Sequence, residues 1–592
     1  MRSGIVVGKS EDDKAEISKP TDWVWYLSCG AITLLAIFLR FFGLDWKAFH
    51  HDEGVNGHFL MGLFREGAYQ YDPGNYHGPT LYYLTLPFVK LFGLETLPVR
   101  WSVAVWGVLI VVLAFYLRRY IGRVGALFAA LFLAISPGMV YFSRYYIHEM
   151  FFVFLALALV VAMGFFVEQR KPGPGAIAWM AVLLLVCFFP STLNLSSAIA
   201  KDNETLFWVI SIAVFLVEAA LVFLIVRMLL GWNDGRSIYL LLAAASVSLM
   251  FATKETAFIT LGTMLIACLC IWVWQKIYSA AKEMNGEFHS QELSWANFQA
   301  AIGAGTDRLL LLVGAAAVFI YLGVLFFSSF FTYPEGVKKA FEAYAIWTKT
   351  GSSDHTQNGT WAFLKWGMEI EAPIMILSAV GTVIAFFKPR SRFAMFTGLW
   401  AFGLFAAYSL IPYKTPWLAL SFLLPMCIIG GFAINELASA FKKPAAKAIA
   451  VIAAIGACAI LAYQTYDMNF VRYDDEDMPY VYAHTKREFL DLVAQINHFA
   501  EKSGKGNAAK IQVVSPEYWP LVWYVKDFPN AFFHGRIAPA DRAEMIIAKK
   551  GDQDTDVSRR YSTEYEYAGT YALRPGVDLV LLVRKDLMRG ER

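Results

Sequence analysis

The sequence predicts a polytopic α-helical membrane protein of about thirteen transmembrane helices with a small C-terminal α/β domain, and three observations predict it. Hydrophobic residues make up 57% of the 592-residue chain and mean hydropathy is +0.47, well above the soluble average. Up to about residue 463 the apolar residues fall into long runs separated by short charged loops. From about residue 464 the texture turns charged and mixed, with short strand-like alternations.

A hydrocarbon core of roughly 30 Å takes about 20 helical residues to cross. On that ruler the spans fall near 22–43, 97–117, 124–142, 149–167, 176–192, 205–229, 238–252, 256–275, 309–328, 372–387, 393–411, 417–437 and 446–463. Basic residues collect in alternate loops, at Arg118-Arg119, Arg123, Arg170-Lys171, Arg236, Lys276, Arg308, Lys388 and Arg390, Arg392 and Lys442-Lys443. Those loops are expected to be cytoplasmic, with residues 1–21 as a cytoplasmic tail. The polar Met1–Pro20 stretch has no short apolar segment ending in a cleavage site, so no removable signal peptide is expected. The external side then holds the loops 44–96 and 329–371 and the domain 464–592, at the plasma membrane of the cell. In that domain the sequence predicts a helix over 485–502, a helix-like stretch over 516–525, and strands near 511–514, 531–534, 544–548, 565–573 and 578–584.

A net charge of +3 gives no reason to expect nucleic acid as a partner. The six cysteines all sit in apolar runs without a CxxC pair and read as packing residues. Local signals for dinucleotide, P-loop, serine-hydrolase and zincin chemistry are lacking.

Residues suited to chemistry concentrate on the external side. The first loop carries His50-His51-Asp52-Glu53-Gly54 and Tyr76-His77-Gly78-Pro79, and the second carries Ser143-Arg144-Tyr145-Tyr146-Ile147-His148-Glu149. Lys254-Glu255, His355 and the proline-flanked Lys414 follow. Charge near hydrocarbon costs on the order of 2.5 to 3.5 kcal/mol per residue, so acids at the rim of a first span point to chemistry at the membrane surface. Transfer of a sugar to a hydroxyl needs a base for the acceptor proton and positive charge for an anionic leaving group. Asp52, with Glu53 and Glu149 near it, suits the first task. Arg144, Lys414, His77 and Lys254 suit the second, as binders of a donor phosphate, and His355 is a metal-ligand candidate. The structural alternatives are solvated caps for the acids, a loop-backbone partner for His77, a snorkelling Lys414, an Arg144 paired to Glu149, and a solvated linker face for Asp474 to Asp477.

In this order, His51-Asp52-Glu53, His77-Gly78-Pro79-Thr80-Leu81-Tyr82-Tyr83, Phe92-Gly93 with Pro98-Val99-Arg100, and Ser136-Pro137 leading to Ser143-Arg144 and Glu149 resemble the GT-C membrane glycosyltransferases. The branch they resemble is that of protein O-mannosyltransferases and the aminoarabinose transferase of lipid A, and within it the flippase-activity-associated membrane proteins of archaeal N-glycosylation. The resemblance implies a GT-C-like fold and inverting transfer of a sugar from a polyprenyl-phosphate donor to a glycan, lipid or protein hydroxyl at the external face. It implies Asp52 as base with Glu53 beside it, and Glu149 as the acid that helps hold a divalent metal cation or orients the acceptor. Two departures bear on the donor side: a Lys/His-Pro-Pro-Leu pattern is His77-Gly78-Pro79-Thr80 here, and a Lys-Gly is Lys254-Glu255. A lipid-linked-sugar flippase, or a non-catalytic subunit associated with one, is the alternative. A flippase should place polar residues at mid-membrane depth and within inverted repeats, whereas here they gather at one face.

Overall fold

The computed structural model describes residues 22–75, 77–201, 203–282, 293–351, 358–387, 391–440 and 444–589. The expected tail 1–21, the basic residues Lys388, Arg390, Lys442 and Lys443, and the metal-ligand candidate His355 lie outside the described residues. In chain order the helices of the first half are α1 Asp22–Phe41, α2 His51–Glu66, α3 Thr80–Phe92, α4 Thr96–Ala114, α5 Arg118–Ile121, α6 Arg123–Ile135, α7 Pro137–Ser143, α8 Glu149–Val167, α9 Pro174–Ala200 and α10 Glu204–Gly231. Then come α11 Ser237–Thr253, α12 Ala257–Lys282, α13 Trp295–Ile302, α14 Gly305–Phe327, α15 Glu335–Gly351, α16 Ala362–Ile370, α17 Ala372–Phe387, α18 Arg392–Leu410, α19 Leu420–Ala440 and α20 Pro444–Tyr466.

Among the described residues ten helices are long and apolar enough to cross a membrane, or up to twelve if two bent pairs each count as one span. Thirteen is therefore not the number found. The stretch expected to cross at 124–142 is broken at Ser136-Pro137, where α6 and α7 meet at 56°. Pro137 cannot continue the hydrogen-bond ladder, and the Ser136 hydroxyl caps the new helix by accepting from Met139 N at 3.2 Å. A second bend of 108° separates α16 from α17, and α11 is apolar but only 17 residues long. Helices α8 and α19 form the buried middle of the bundle, whereas α10, α12, α14 and α20 keep most of their apolar surface outward, as lipid-facing helices do.

The first loop, read from sequence as a loop, contains two helices. Helix α2 is polar and starts with a capping box: the His50 ring accepts from Asp52 N and the Glu53 carboxylate accepts from His50 N. Gly67, with φ 77°, ends it. Helix α3 has 13 residues and an internal Pro87, too short for the length rule that found the spans.

The C-terminal domain packs α21 Phe489–Lys502 against a five-stranded sheet ordered β2-β1-β3-β5-β4. Its strands are β1 Ile511–Val513, β2 Ala531–Phe533, β3 Met545–Lys549, β4 Tyr565–Arg574 and β5 Val577–Arg584. Strand β1 runs parallel to β2 and β3, and β5 runs antiparallel to β3 and β4. The helix-like stretch at 516–525 reduces to one turn, α22 Leu521–Tyr524. That turn lies on α2, and the approach depends on two missing side chains. A Cβ at Gly54 would fall 2.8 Å from Pro520 Cβ, and one at Gly57 would fall 2.7 Å from the Trp523 ring. Asp474, expected in a solvated linker, is instead buried and hydrogen-bonded by Arg487 at 2.6 and 3.0 Å.

Candidate functional site

The two adjacent acids of α2 point to opposite fates. Glu53 is fully buried and accepts from Arg100 Nε at 2.9 Å and Nη2 at 2.7 Å, from His50 N at 3.0 Å and from Tyr146 N at 2.8 Å. Burial alone would raise its carboxyl, but the Arg100 charge and hydrogen bonds overcome this and hold it below its ordinary value of 4.5. Arg100 also donates to the carbonyls of Leu44, Lys47 and Ala48, so this pair clamps the chain between α1 and α2. Glu53, expected beside the base, has both carboxylate oxygens occupied by Arg100, His50 N and Tyr146 N and does not line the cleft.

Asp52 faces the other way, into a cleft of about 250 Å³, with its side chain 37% exposed. The cleft is walled by α2, by the turn Pro73–Asn75 with His77, by Ile147 to Glu149 and by Tyr413 and Trp417. Burial raises the Asp52 carboxyl above its ordinary value of 3.8; His51 and His77 oppose the rise, and Glu149 and Glu53 add to it. His50, two residues before it, gives Asp52 no positive charge. His50 Nε2 donates to Tyr482 O at 2.9 Å while Nδ1 accepts from Asp52 N, and burial lowers its titration to about 4.

His77, in the cleft wall, and Lys254, behind Glu149, both proposed from sequence, are each bound to a carboxylate. His77 Nδ1 donates to Glu255 Oε2 at 2.8 Å, and Lys254 Nζ pairs with Glu149. Glu255 is held below its ordinary value because His77 and Lys254 overcome the opposing effect of burial. The segment joining them explains the first sequence departure. Gly78 N donates to Thr253 O at 3.1 Å, and a Cβ on Gly78 would fall 1.9 Å from Ala252 O, so no side chain fits. This contact and the 2.8 Å bond between the Thr80 and Thr253 hydroxyls set His77 opposite Glu255.

The structure does not bring Arg144 to the cleft. Its guanidinium donates to the carbonyls of Leu39 at 3.0 Å, Phe42 at 2.6 Å and Gly43 at 2.8 Å, at and just beyond the C-terminal end of α1. It is neither a cleft cation nor paired to Glu149. Lys414 does not line the cleft either; it is buried, with its ammonium donating to Ile411 O and 5.9 Å from the Phe363 ring. Glu149 is taken by Lys254, and among the described residues no three His, Cys, Asp or Glu side chains gather as a metal site.

Two further histidines of the quoted external segments stand in the cleft. His148, one residue before Glu149, lies in the cleft wall with Nε2 donating to Gly78 O at 3.1 Å and its ring 4.9 Å from that of His77. His51, one residue before Asp52, lies in the opposite wall. Each adjoins a chosen acid, and that adjacency was the available signal.

The chain shares its fold, a helical bundle with a polar cleft at one end beside a small sheet domain, with solved structures of ArnT. A family model described as dolichyl-phosphate-mannose-protein mannosyltransferase matches residues 76–190. ArnT from Cupriavidus metallidurans bound to undecaprenyl phosphate is similar over 95% of this chain and 98% of its own, at 14% identity and TM-score 0.53. Its apo state gives TM-score 0.54 at 13% identity over the same shares. The Archaeoglobus fulgidus oligosaccharyltransferase with a tethered acceptor peptide is 12% identical, at TM-score 0.45 over 93% of this chain and 74% of its own. No curated protein matches by sequence.

Proposed function

We propose that the protein transfers a sugar from a polyprenyl-phosphate donor to a hydroxyl acceptor at the external membrane face, with inversion and with Asp52 as the base. The observation that carries this reading is the charge state around four neighbouring carboxylates. Glu53 is paired to Arg100, Glu149 to Lys254 and Glu255 to His77, while Asp52, exposed in the cleft, has no Lys or Arg partner among the described residues. A carboxylate without a cation, raised by burial, is the better proton acceptor.

The acceptor oxygen attacks the anomeric carbon, its proton passes to Asp52, and the bond from that carbon to the phosphate oxygen breaks. With Asp52 acting as base and not as nucleophile, the transfer is one displacement and inverts the anomeric carbon. The departing polyprenyl phosphate is an anion, and His77 is the candidate donor residue that stands in the cleft wall to meet it. ArnT, similar in fold, is a structure that holds undecaprenyl phosphate, which supports a lipid phosphate as the donor's carrier. The external placement rests on the alternation of basic loops.

The test is turnover of a panel of polyprenyl-phosphate sugars by purified protein, read as released polyprenyl phosphate. Asp52→Asn should lower the rate by ~10² to 10⁴ and leave melting unchanged. Robust turnover by folded Asp52→Asn removes Asp52 as base. Lipid movement in liposomes without any turnover by wild type returns the flippase reading.

A further inference from the structure

The C-terminal domain meets the cleft wall from behind, where Arg574 contacts His51. Arg574 ends strand β4, at the Arg574-Pro575-Gly576-Val577 turn into β5. Its Nη1 lies 3.2 Å from His51 Nδ1, and its Nη2 is held by Glu517, in the segment after β1. A guanidinium can only donate, so His51 Nδ1 must accept and carries no proton. The imidazole proton is then on Nε2, which makes no hydrogen bond to the described residues, and the ring lines the cleft beside Asp52. Trp519, of the same domain, packs on the His51 ring at 6.3 Å between centroids.

We propose that Arg574 is a positioning residue of the cleft, fixing His51 as the neutral Nε2–H tautomer so that it offers a hydrogen-bond donor, and not a cation, beside Asp52. The chemistry it serves is recognition of an oxygen-rich ligand, a sugar hydroxyl or phosphate oxygen; that identification alone rests on the transfer reading above. The electrostatic consequence falls on Asp52. A protonated His51 would stabilise the Asp52 carboxylate and weaken it as a base, and the guanidinium against Nδ1 opposes that protonation. The groups facing His51 are Asp52 on α2, His50 that caps it, Arg574 on β4, Glu517 behind Arg574, and Tyr482, whose phenol acts on both Asp52 and Arg574. Burial, then His50 and Arg574, outweigh Asp52 and lower the His51 titration to about 4.

Two measurements on the full-length protein test this. The first needs no substrate: diethyl pyrocarbonate acylates neutral imidazole only, and mass spectrometry reads the peptide bearing His51 as pH is varied. Wild type should label evenly from about pH 5 to pH 8, whereas Arg574→Met should lose labelling at the acid end of that range, with a midpoint above that of wild type. Arg574→Lys, which keeps a cation there, should restore the flat profile. Glu517→Gln, which breaks the same ion pair but leaves the guanidinium, should also stay flat; a merely structural role would make it behave like Arg574→Met. A flat profile in folded Arg574→Met overturns the proposal, whatever happens to turnover. The second is the pH dependence of sugar transfer, where Arg574→Met should lower turnover on the order of 10- to 100-fold, most below neutral pH. Failure of wild type to turn over any donor would defeat the transfer reading and leave the labelling result to decide on Arg574.

Discussion

Replacing Glu53 by Gln separates two acids that share one dipeptide. The Glu53 carboxylate accepts from His50 N, Tyr146 N and two Arg100 nitrogens, so both of its oxygens face only donors. An amide of the same shape must turn its NH₂ toward two of those donors, losing both bonds whichever way it is flipped. It also leaves Arg100, fully buried, without a counter-charge. Breaking one side of a buried ion pair costs about 3–5 kcal/mol, against a total stability of ~5–15 kcal/mol. Glu53→Gln should therefore give poor folded yield by size exclusion in detergent and a clearly lowered melting temperature. Asp52→Asn, one residue away, should match wild type in both, because its side chain is 37% exposed and has no Lys or Arg partner among the described residues. A Glu53→Gln variant that melts like wild type but has lost transfer would refute the clamp and return Glu53 to the chemistry. The pair also sets a pH signature. Because the folded-state Glu53 is held below its ordinary 4.5, its contribution is complete above that value and is lost as pH falls below it through the depressed folded value.

Three further outcomes follow from the same geometry. If Asp52 is the base it must be ionised, so transfer should fall on the acid side with a midpoint above the ordinary 3.8, a limb absent from the residual activity of Asp52→Asn. Arg144→Met strips donors from three carbonyls at the end of α1 and should lower stability by ~1–3 kcal/mol while leaving the donor KM of the folded fraction unchanged; a raised KM at unchanged stability would restore a donor-binding role. Gly78→Ala should misplace His77, since its Cβ cannot lie 1.9 Å from Ala252 O; it should lower transfer and melting together, and wild-type behaviour in both would disprove the contact.

Much of the fold was legible because a bilayer imposes a length and a composition. The runs at 149–167, 309–328 and 393–411 are helices Glu149–Val167, Gly305–Phe327 and Arg392–Leu410. The strands after residue 511 were legible from their alternation, and β3 to β5 lie within a residue or so of the expected segments. Legibility failed where a helix is too short or too polar for that rule, as in α2 and α3, and where a proline divides an apolar run, as at Ser136-Pro137.

The sequence by itself determined the class of molecule, and it drew Asp52, His77, Glu149 and Lys254 into one short set of candidates, because charged groups beside hydrocarbon are costly and so stand out. Only the tertiary structure decided which charge meets which. Asp52 and Glu53 are neighbours in the chain, but a helix sets successive residues about 100° apart, so one enters the cleft and the other meets Arg100 in the interior. Arg144 and Lys254 are equally basic, yet the first caps the end of α1 and the second reaches Glu149 from 105 residues away. The contact between Arg574 and His51 spans 523 residues. Partners at such separations are set by how helices and sheet pack, and no local pattern in the chain records them.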